Sequence, residues 1–301
     1  MPAQPRIHLV RHAQGFHNLG TEFHSLRDPR LTPLGESQCA TLQATHFPRE
    51  RQQNISLVTA SPLTRTIHTA HLTFSPALAN GKCQPAAILA IPDAQETSDY
   101  ACDVGSEPAV LHALCDEQGW KVDLSLVKDD WTVKTLDSRY SPASSAIMAR
   151  ARAVRLLLRQ KARDLLAAGD PAVEIVLVSH GSFLHFLTND WEDADKLTGT
   201  AWENCEHRTY EFEDGLVTDA DADVDPDAYF VETRDSRARR GKLHPMAPRD
   251  QQNRLFHKVM QAWKDQGLVD PAHLDLPLEP DDAVATDVSI DRASDNVRVM
   301  A

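Results

Sequence analysis

Two histidines stand where runs of apolar residues stop. The stretch "RIHLVRHAQGFHN" (6–18) leaves its apolar run at Arg11 and His12, and "VEIVLVSHG" (173–181) leaves its own at Ser179, His180 and Gly181. A third block, "SLVTASPLTR" (56–65), places Arg65 shortly after Ser61 and Pro62. A neutral imidazole is a good nucleophile near neutral pH and forms covalent intermediates. An arginine fork matches the oxygens of a tetrahedral oxyanion and keeps its charge. Cations nearby lower an imidazole's pKa and so keep it unprotonated. Two of each around one point would form a cationic cup, in which one histidine attacks phosphorus while the other donors hold the equatorial oxygens. A single histidine after a strand is ordinarily a core or surface residue. Two such strand ends, with an arginine at a helix start, argue for a site. No HxH, HExxH or carboxylate-rich cluster supports the competing use of histidine as a metal ligand.

The elements that must position these residues follow from the pattern. "RIHLV" (6–10), "ISLVT" (55–59) and "VEIVLV" (173–178) are nearly continuous apolar runs, with "AAILAI" (86–91) as a fourth. Such strands are covered on both faces, as in a parallel sheet flanked by helices. Helices fall between them. One spans 31–47, with Thr32 as N-cap and Pro33 in its first turn; another spans 61–74, with Ser61 and Pro62 in the same arrangement. The longest runs from near Pro142 to Ala168, with Ile147, Val154, Leu158 and Leu165 on one face, and a short one covers about Ser182 to Thr188. The alternation predicts a three-layer α/β/α fold with a mostly parallel central sheet. Ligands bind beyond the carboxyl ends of such strands, so His12, Arg65 and His180 should meet at one crevice. Helix N-termini near residues 62 and 182 should face it with free N–H groups.

Later segments add two strands, "CEHRTYEFE" (205–213) and "AYFVET" (228–233), and an amphipathic helix over 254–266. The reading is one α/β domain over 1–267 and an acidic, proline-containing tail over 268–301. The formal net charge of −13 disfavours nucleic acid and anionic membrane as partners but permits a small anion in a locally positive pocket. The five cysteines form no CxxC pair, which points to a reducing compartment rather than a disulfide framework. A short, polar opening and the lack of any long apolar run point to a soluble, cytoplasmic protein. The oligomeric state is left open.

Together, "LVRHAQGFHN", "TASPLTRTIHTA" and "VLVSHGSFL" resemble the histidine phosphatase superfamily, on its phosphoglycerate-mutase-like branch, over residues 6 to about 212. The resemblance implies a cofactor-free, metal-independent phosphomonoesterase acting on a small phosphate-bearing substrate. It makes His12 the nucleophile, phosphorylated in a covalent intermediate, with Arg11, Arg65 and His180 on the phosphoryl group. Asn18 and Gly181 complete the substrate-binding set. It also implies a general acid in the loop after the third strand, "IPDAQETSDYACDVGS" (91–106). Glu96 is the choice, with Asp93, Asp99 and Asp103 as alternates. Burial and an incoming phosphate dianion would both raise the pKa of such a carboxyl, as an acid requires.

One departure bears on activity. Gln14 stands where mutase-type members usually have Glu, and the loop 20–30 lacks the mutase pattern, so the chain looks closer to phosphatase-like members. A phosphomutase using the same site, and a non-catalytic or repurposed anion-binding member, are the alternatives. His17, His24 and Arg30 either line the pocket mouth or, as the favoured reading, form a solvated loop. Trp202, Asn204 and Glu206 are possible substrate contacts, with strand-edge packing as the default. The basic run "RDSRARRGK" (234–242) reads as solvated surface, with steering of a polyanion as the rarer use.

Overall fold

A computed structural model of the chain describes residues 4–194, 196, 199–215 and 226–275. Strand β1 (Arg6–Arg11) leads through a long connection with two 3-10 segments, Phe16–Leu19 and Thr21–Ser25, to α1 (Pro33–His46) and the single-turn α2 (Arg49–Gln52). Then come β2 (Ile55–Ala60), α3 (Thr64–Leu78), β3 (Ile88–Ala90), α4 (Pro108–Gln118) and β4 (Val122–Asp123). Helix α5 (Ser144–Ala167), β5 (Glu174–Ser179) and α6 (Gly181–Thr188) precede β6 (His207–Phe212), β7 (Phe230–Glu232), α7 (Arg234–Arg239) and α8 (Arg249–Asp265).

Among the described residues the strands form one sheet in the order β4-β3-β2-β5-β1-β6-β7. The five from β4 to β1 are parallel, and β6 and β7 add antiparallel at the edge. This is the predicted α/β class. The continuous apolar runs have the predicted cause: β2 is buried at all six positions and β5 at five. One core packs Ile7, Leu9, Ile175 and Leu177 against Ile147, Val154 and Leu158 of α5, with Phe183 of α6 and Val259 and Trp263 of α8. On the opposite face Val10, Val58, Val176 and Val178 pack against Phe74 and Ala70 of α3.

Thr32 caps α1 as expected, its hydroxyl accepting from Gly35 N–H at 3.0 Å with Pro33 in the first turn. Ser61 does not cap α3, which begins at Thr64. The cap is Asp28, whose carboxylate accepts from Thr64 N–H and Oγ1–H, both at 2.8 Å. Neither α4 nor α7 is in the sequence reading; α4 buries only Leu111 and Cys115, too few to show a stripe. The basic run is divided: Arg234 and Arg239 are exposed, while others are paired with carboxylates. Arg237 is buried and reaches Glu192 at 2.8 Å, and Arg240 pairs with buried Glu232 at 2.5 Å. At the start of the expected tail, Leu268, Val269 and Leu274 pack on the main core, and Asp275 accepts from Ser145 N–H at 2.9 Å. The rest, 276–301, lies outside the described residues. No helix among the described residues is long and apolar enough to cross a membrane.

Candidate active site

Parallel pairing of β1 with β5, Val10 opposite Val178 and Arg11 opposite Ser179, brings the two strand ends level. His12 and His180 follow at once, and their ring centroids lie 5.1 Å apart. Strand β2, on the other side of β5, delivers Ser61 and then Arg65 in the first turn of α3. Residues more than a hundred positions apart therefore meet because three neighbouring parallel strands end at one level.

Arg65 is fully buried and organises the group. Its Nε donates to His12 Nε2 at 3.4 Å and its Nη2 to His180 Nδ1 at 3.2 Å. The same guanidinium reaches Asp103 Oδ1 at 2.8 Å and the Cys102 carbonyl at 2.6 Å. These partners fix both tautomers. His12 Nδ1 lies 2.7 Å from the Ala13 carbonyl, which only accepts, so the hydrogen sits on Nδ1 and Nε2 carries the lone pair. His180 Nδ1 accepts from Arg65, so its Nε2–H donates to Ser61 Oγ at 2.9 Å. Burial, and after it the Arg65 charge, hold both imidazoles well below the usual histidine range. Both are neutral at physiological pH.

Arg11 donates from Nη1 to the Trp202 carbonyl, while its buried Nε has no partner. Asn18 Oδ1 accepts from Gly15 N–H at 3.0 Å and from Asn204 Nδ2 at 3.4 Å. Asn204 Nδ2 also donates to the His12 carbonyl at 3.0 Å, so Asn204 braces the turn that carries the nucleophile candidate. Trp202 packs under Arg208, 3.6 Å from guanidinium to ring, and Glu206 accepts from Arg208 at 2.7 Å. Gly181 opens α6 where any Cβ would meet Thr200 Oγ1 at 2.1 Å, so glycine is required for close approach.

Of the four acid candidates, Glu96 lies at the N-terminus of α6. Its Oε1 accepts from Phe183 N–H at 2.9 Å and its Oε2 from Ser182 N–H at 3.2 Å. The α6 N-terminus is therefore occupied by Glu96, as the α3 N-terminus is by Asp28. The N–H groups of Thr64, Ser182 and Phe183, expected to be free, are occupied by carboxylates. Burial, with Asp103 as the next cause, raises the Glu96 carboxyl above its ordinary range despite those donors. Asp93 is taken by Arg139 at 2.8 Å, Asp103 by Arg65, and Asp99 is exposed.

The sequence reading did not single out two cations beneath this loop. Buried Lys134 donates from Nζ to the Glu96 carbonyl at 2.9 Å and the Ser98 carbonyl at 2.6 Å. Buried Arg150 donates from Nη1 to the Asp93 carbonyl at 2.8 Å and the Gln95 carbonyl at 2.9 Å. Arg150 had a signal, since it falls on the buried stripe of α5 between Ile147 and Val154. Lys134, a lone lysine in "DDWTVKTLD", had none.

His24 stacks on Tyr100 at 5.6 Å and Arg30 is exposed, but His17 is only 9% exposed and its ring lies 5.3 Å from that of His12. The solvated-loop reading does not hold for His17. Among the described residues, no group of three or more His, Cys, Asp or Glu is arranged to hold a metal.

The chain is similar to known proteins. Residues 7–78 match the histidine phosphatase superfamily (branch 1). A phosphoglycerate mutase-like protein of Arabidopsis thaliana is 29% identical over 239 residues, covering 67% of this chain and 82% of that protein. Phosphoglycerate mutase-like protein 2 of the same plant is 45% identical over 75 residues, 23% of this chain and 22% of that one. Among solved structures, the ecdysone phosphate phosphatase of Bombix mori in complex with tungstate is 14% identical, with 72% of this chain and 92% of that one covered and a TM-score of 0.47. With the RH block, the Arg65 block and the SHG block in order, and their side chains gathered at the ends of β1, β2 and β5, this chain is similar to the histidine phosphatase superfamily over residues 7–78 and to the phosphoglycerate mutase-like protein over most of that protein's length.

Proposed function

We propose that the chain is a phosphomonoesterase that works through a phosphohistidine on His12 and needs no metal. The observation that carries this is the His12 imidazole: buried, neutral, its hydrogen fixed on Nδ1 by the Ala13 carbonyl and its Nε2 lone pair turned toward Arg65. The Arg65 Nε–H shifts from His12 Nε2 to a phosphoryl oxygen, and the freed Nε2 lone pair attacks phosphorus as the ester P–O bond breaks, the electron pair of that bond leaving with the alcohol oxygen. Glu96, whose carboxyl burial raises above its ordinary range and an incoming phosphate dianion raises further, gives that oxygen its proton. Arg11, Arg65 and His180 donate to the nonbridging oxygens as charge redistributes, with Asn18 and the Gly181 turn beside them. The ring gains positive charge on phosphorylation, and the Nδ1–H bond to Ala13 stabilises it. Water then attacks the phosphohistidine, Glu96 takes its proton, and inorganic phosphate leaves with His12 restored.

The Arabidopsis relatives carry phosphoglycerate mutase-like names, and a phosphomutase would use the same first step. The test separates the two. The protein is incubated with an aryl phosphate in the presence of chelator and quenched, then examined by mass. The expected result is one phosphoryl adduct on His12 and release of inorganic phosphate, both lost in a folded His12→Ala variant. Transfer of the phosphoryl group to a second substrate hydroxyl, without free phosphate, would establish the mutase. Turnover that needs added metal and survives His12→Ala would overturn both readings.

A further inference from the structure

Three imidazoles, not two, meet in this cup. His17 follows the RH block by five positions and sits in a single turn of 3-10 helix, Phe16–Leu19. Two local devices fold its ring inward. The turn is closed by Asn18 Oδ1 accepting from Gly15 N–H at 3.0 Å. Gly15 also leaves space that a side chain would fill: a Cβ there would lie 2.8 Å from both Cε1 and Nδ1 of His17. The ring ends 5.3 Å from His12, centroid to centroid, and 9% exposed.

In that position the ring is incompletely satisfied. His17 Nδ1 is buried without a hydrogen-bond partner, as is Arg11 Nε of the same cup. Leaving a buried polar atom unpaired is destabilising, and such atoms call for an explanation such as a ligand or a catalytic role. Packing does not supply one here, because a phenylalanine would fill the same volume without the orphaned nitrogen. Its surroundings supply another. Burial and the charges of Arg65 and Arg11, with His24, hold the ring down to about 2, so it is a neutral group with one N–H to give. A phosphoryl group offers only acceptors.

Resting on the phosphomonoesterase reading, we infer that His17 is a substrate-contacting residue whose imidazole donates an N–H to a nonbridging oxygen of the phosphoryl group bound at His12. It is a further donor beside Arg11, Arg65 and His180, built from this chain's Gly15–Asn18 turn. A donor to oxygens that gain charge in the transition state acts on kcat as well as on binding.

The experiment uses the full chain with p-nitrophenyl phosphate as substrate and inorganic phosphate and orthovanadate as ligands. His17→Ala should lower kcat/KM by about a hundredfold and weaken orthovanadate inhibition in parallel. His17→Gln, which keeps an N–H donor on a longer stem, should recover part of both losses, whereas His17→Phe should recover neither. In the wild-type protein, the ring resonances of His17 should shift on titration with inorganic phosphate, a readout that does not depend on how any variant folds. An active wild type with His17→Ala and His17→Phe both within twofold, or His17 resonances unmoved at saturating phosphate, would overturn the inference. A wild type without esterase activity whose His17 resonances still move would refute the proposed reaction and leave the anion contact standing.

Discussion

Lys134→Met tests whether the acid-bearing loop rests on a buried ammonium group. Lys134 is 9% exposed, and its two acceptors are the carbonyls of Glu96 and Ser98. Burial pushes its amine from 10.5 down to about 7. Between those values the unfolded chain holds one proton more than the native state at this site, so wild-type stability rises with pH across the window. At about 1.4 kcal/mol per pH unit the full displacement amounts to about 5 kcal/mol, present above pH 10.5 and lost as pH falls to 7. Methionine has similar reach and no proton to bind. It leaves two carbonyls without this donor, a loss of about 1–3 kcal/mol for each one orphaned. Glu96 keeps a long contact from Arg150 at 3.5 Å, so the Ser98 carbonyl bears most of that loss. The variant should therefore be less stable than wild type at pH 9.5 and equal or more stable at pH 6.5. Urea unfolding followed by tryptophan fluorescence at several pH values should show the difference between the proteins changing by about 3 kcal/mol over that range. A difference that stays constant within about 1 kcal/mol would refute the argument, because the ammonium would then not be desolvated in the native state.

Two further outcomes can be measured directly. Glu96→Gln should reduce kcat by orders of magnitude for alkyl phosphates but far less for p-nitrophenyl phosphate, whose leaving group needs no proton; wild-type kcat/KM should fall on the alkaline side as Glu96 ionises and show no acid limb near 6.5, because His12 is neutral well below it. Glu232→Ala should destabilise the protein by about 3–5 kcal/mol in denaturant unfolding with kcat little changed, since it strips a buried carboxylate from Arg240 and Arg237, remote from the cup.

What could be read in the sequence was whatever periodicity and strand ends determine. Continuous apolar runs gave the buried parallel strands, and residues placed immediately after them, His12 and His180, had to converge because adjacent parallel strands end together. Arg65 was legible for the same reason, one helical turn beyond β2. The capping pattern was less informative. Ser61-Pro62 looks like Thr32-Pro33, yet Ser61 is drawn to His180 and the cap comes from Asp28, far away in sequence. No local rule anticipates that exchange, since it depends on which carboxylate the loop 20–30 brings back to α3. The helix N-termini fail in the same way: Asp28 and Glu96 occupy N–H groups that the sequence suggests are free. His17 was visible but indistinguishable from a loop histidine, because its inward rotation depends on the missing Cβ of Gly15 and the closure by Asn18.

The electrostatics of the cup explain how one carboxyl can serve both halves of the proposed reaction. Arg65 is paired with Asp103, and Glu96 lies in the field of both Arg11 and Arg65. With Glu96 ionised, the charges of Arg11, Arg65, Asp103 and Glu96 balance, although the guanidiniums still hold His12 and His180 neutral. A phosphate dianion entering there adds negative charge beside a carboxyl that burial and Asp103 already raise, and so favours its proton further. Substrate binding thus loads the acid that the first step consumes. Once the alcohol has left, the phosphoryl group is bonded to an imidazole that carries positive charge, and the adjacent carboxylate is stabilised in the ionised form that can accept a proton from water. The switch from acid to base needs no movement of Glu96, whose two oxygens stay fixed by Ser182 and Phe183. In the proposed reaction it follows from the change of charge at His12, and the buried pairing of Arg65 with Asp103 sets the field in which that change acts.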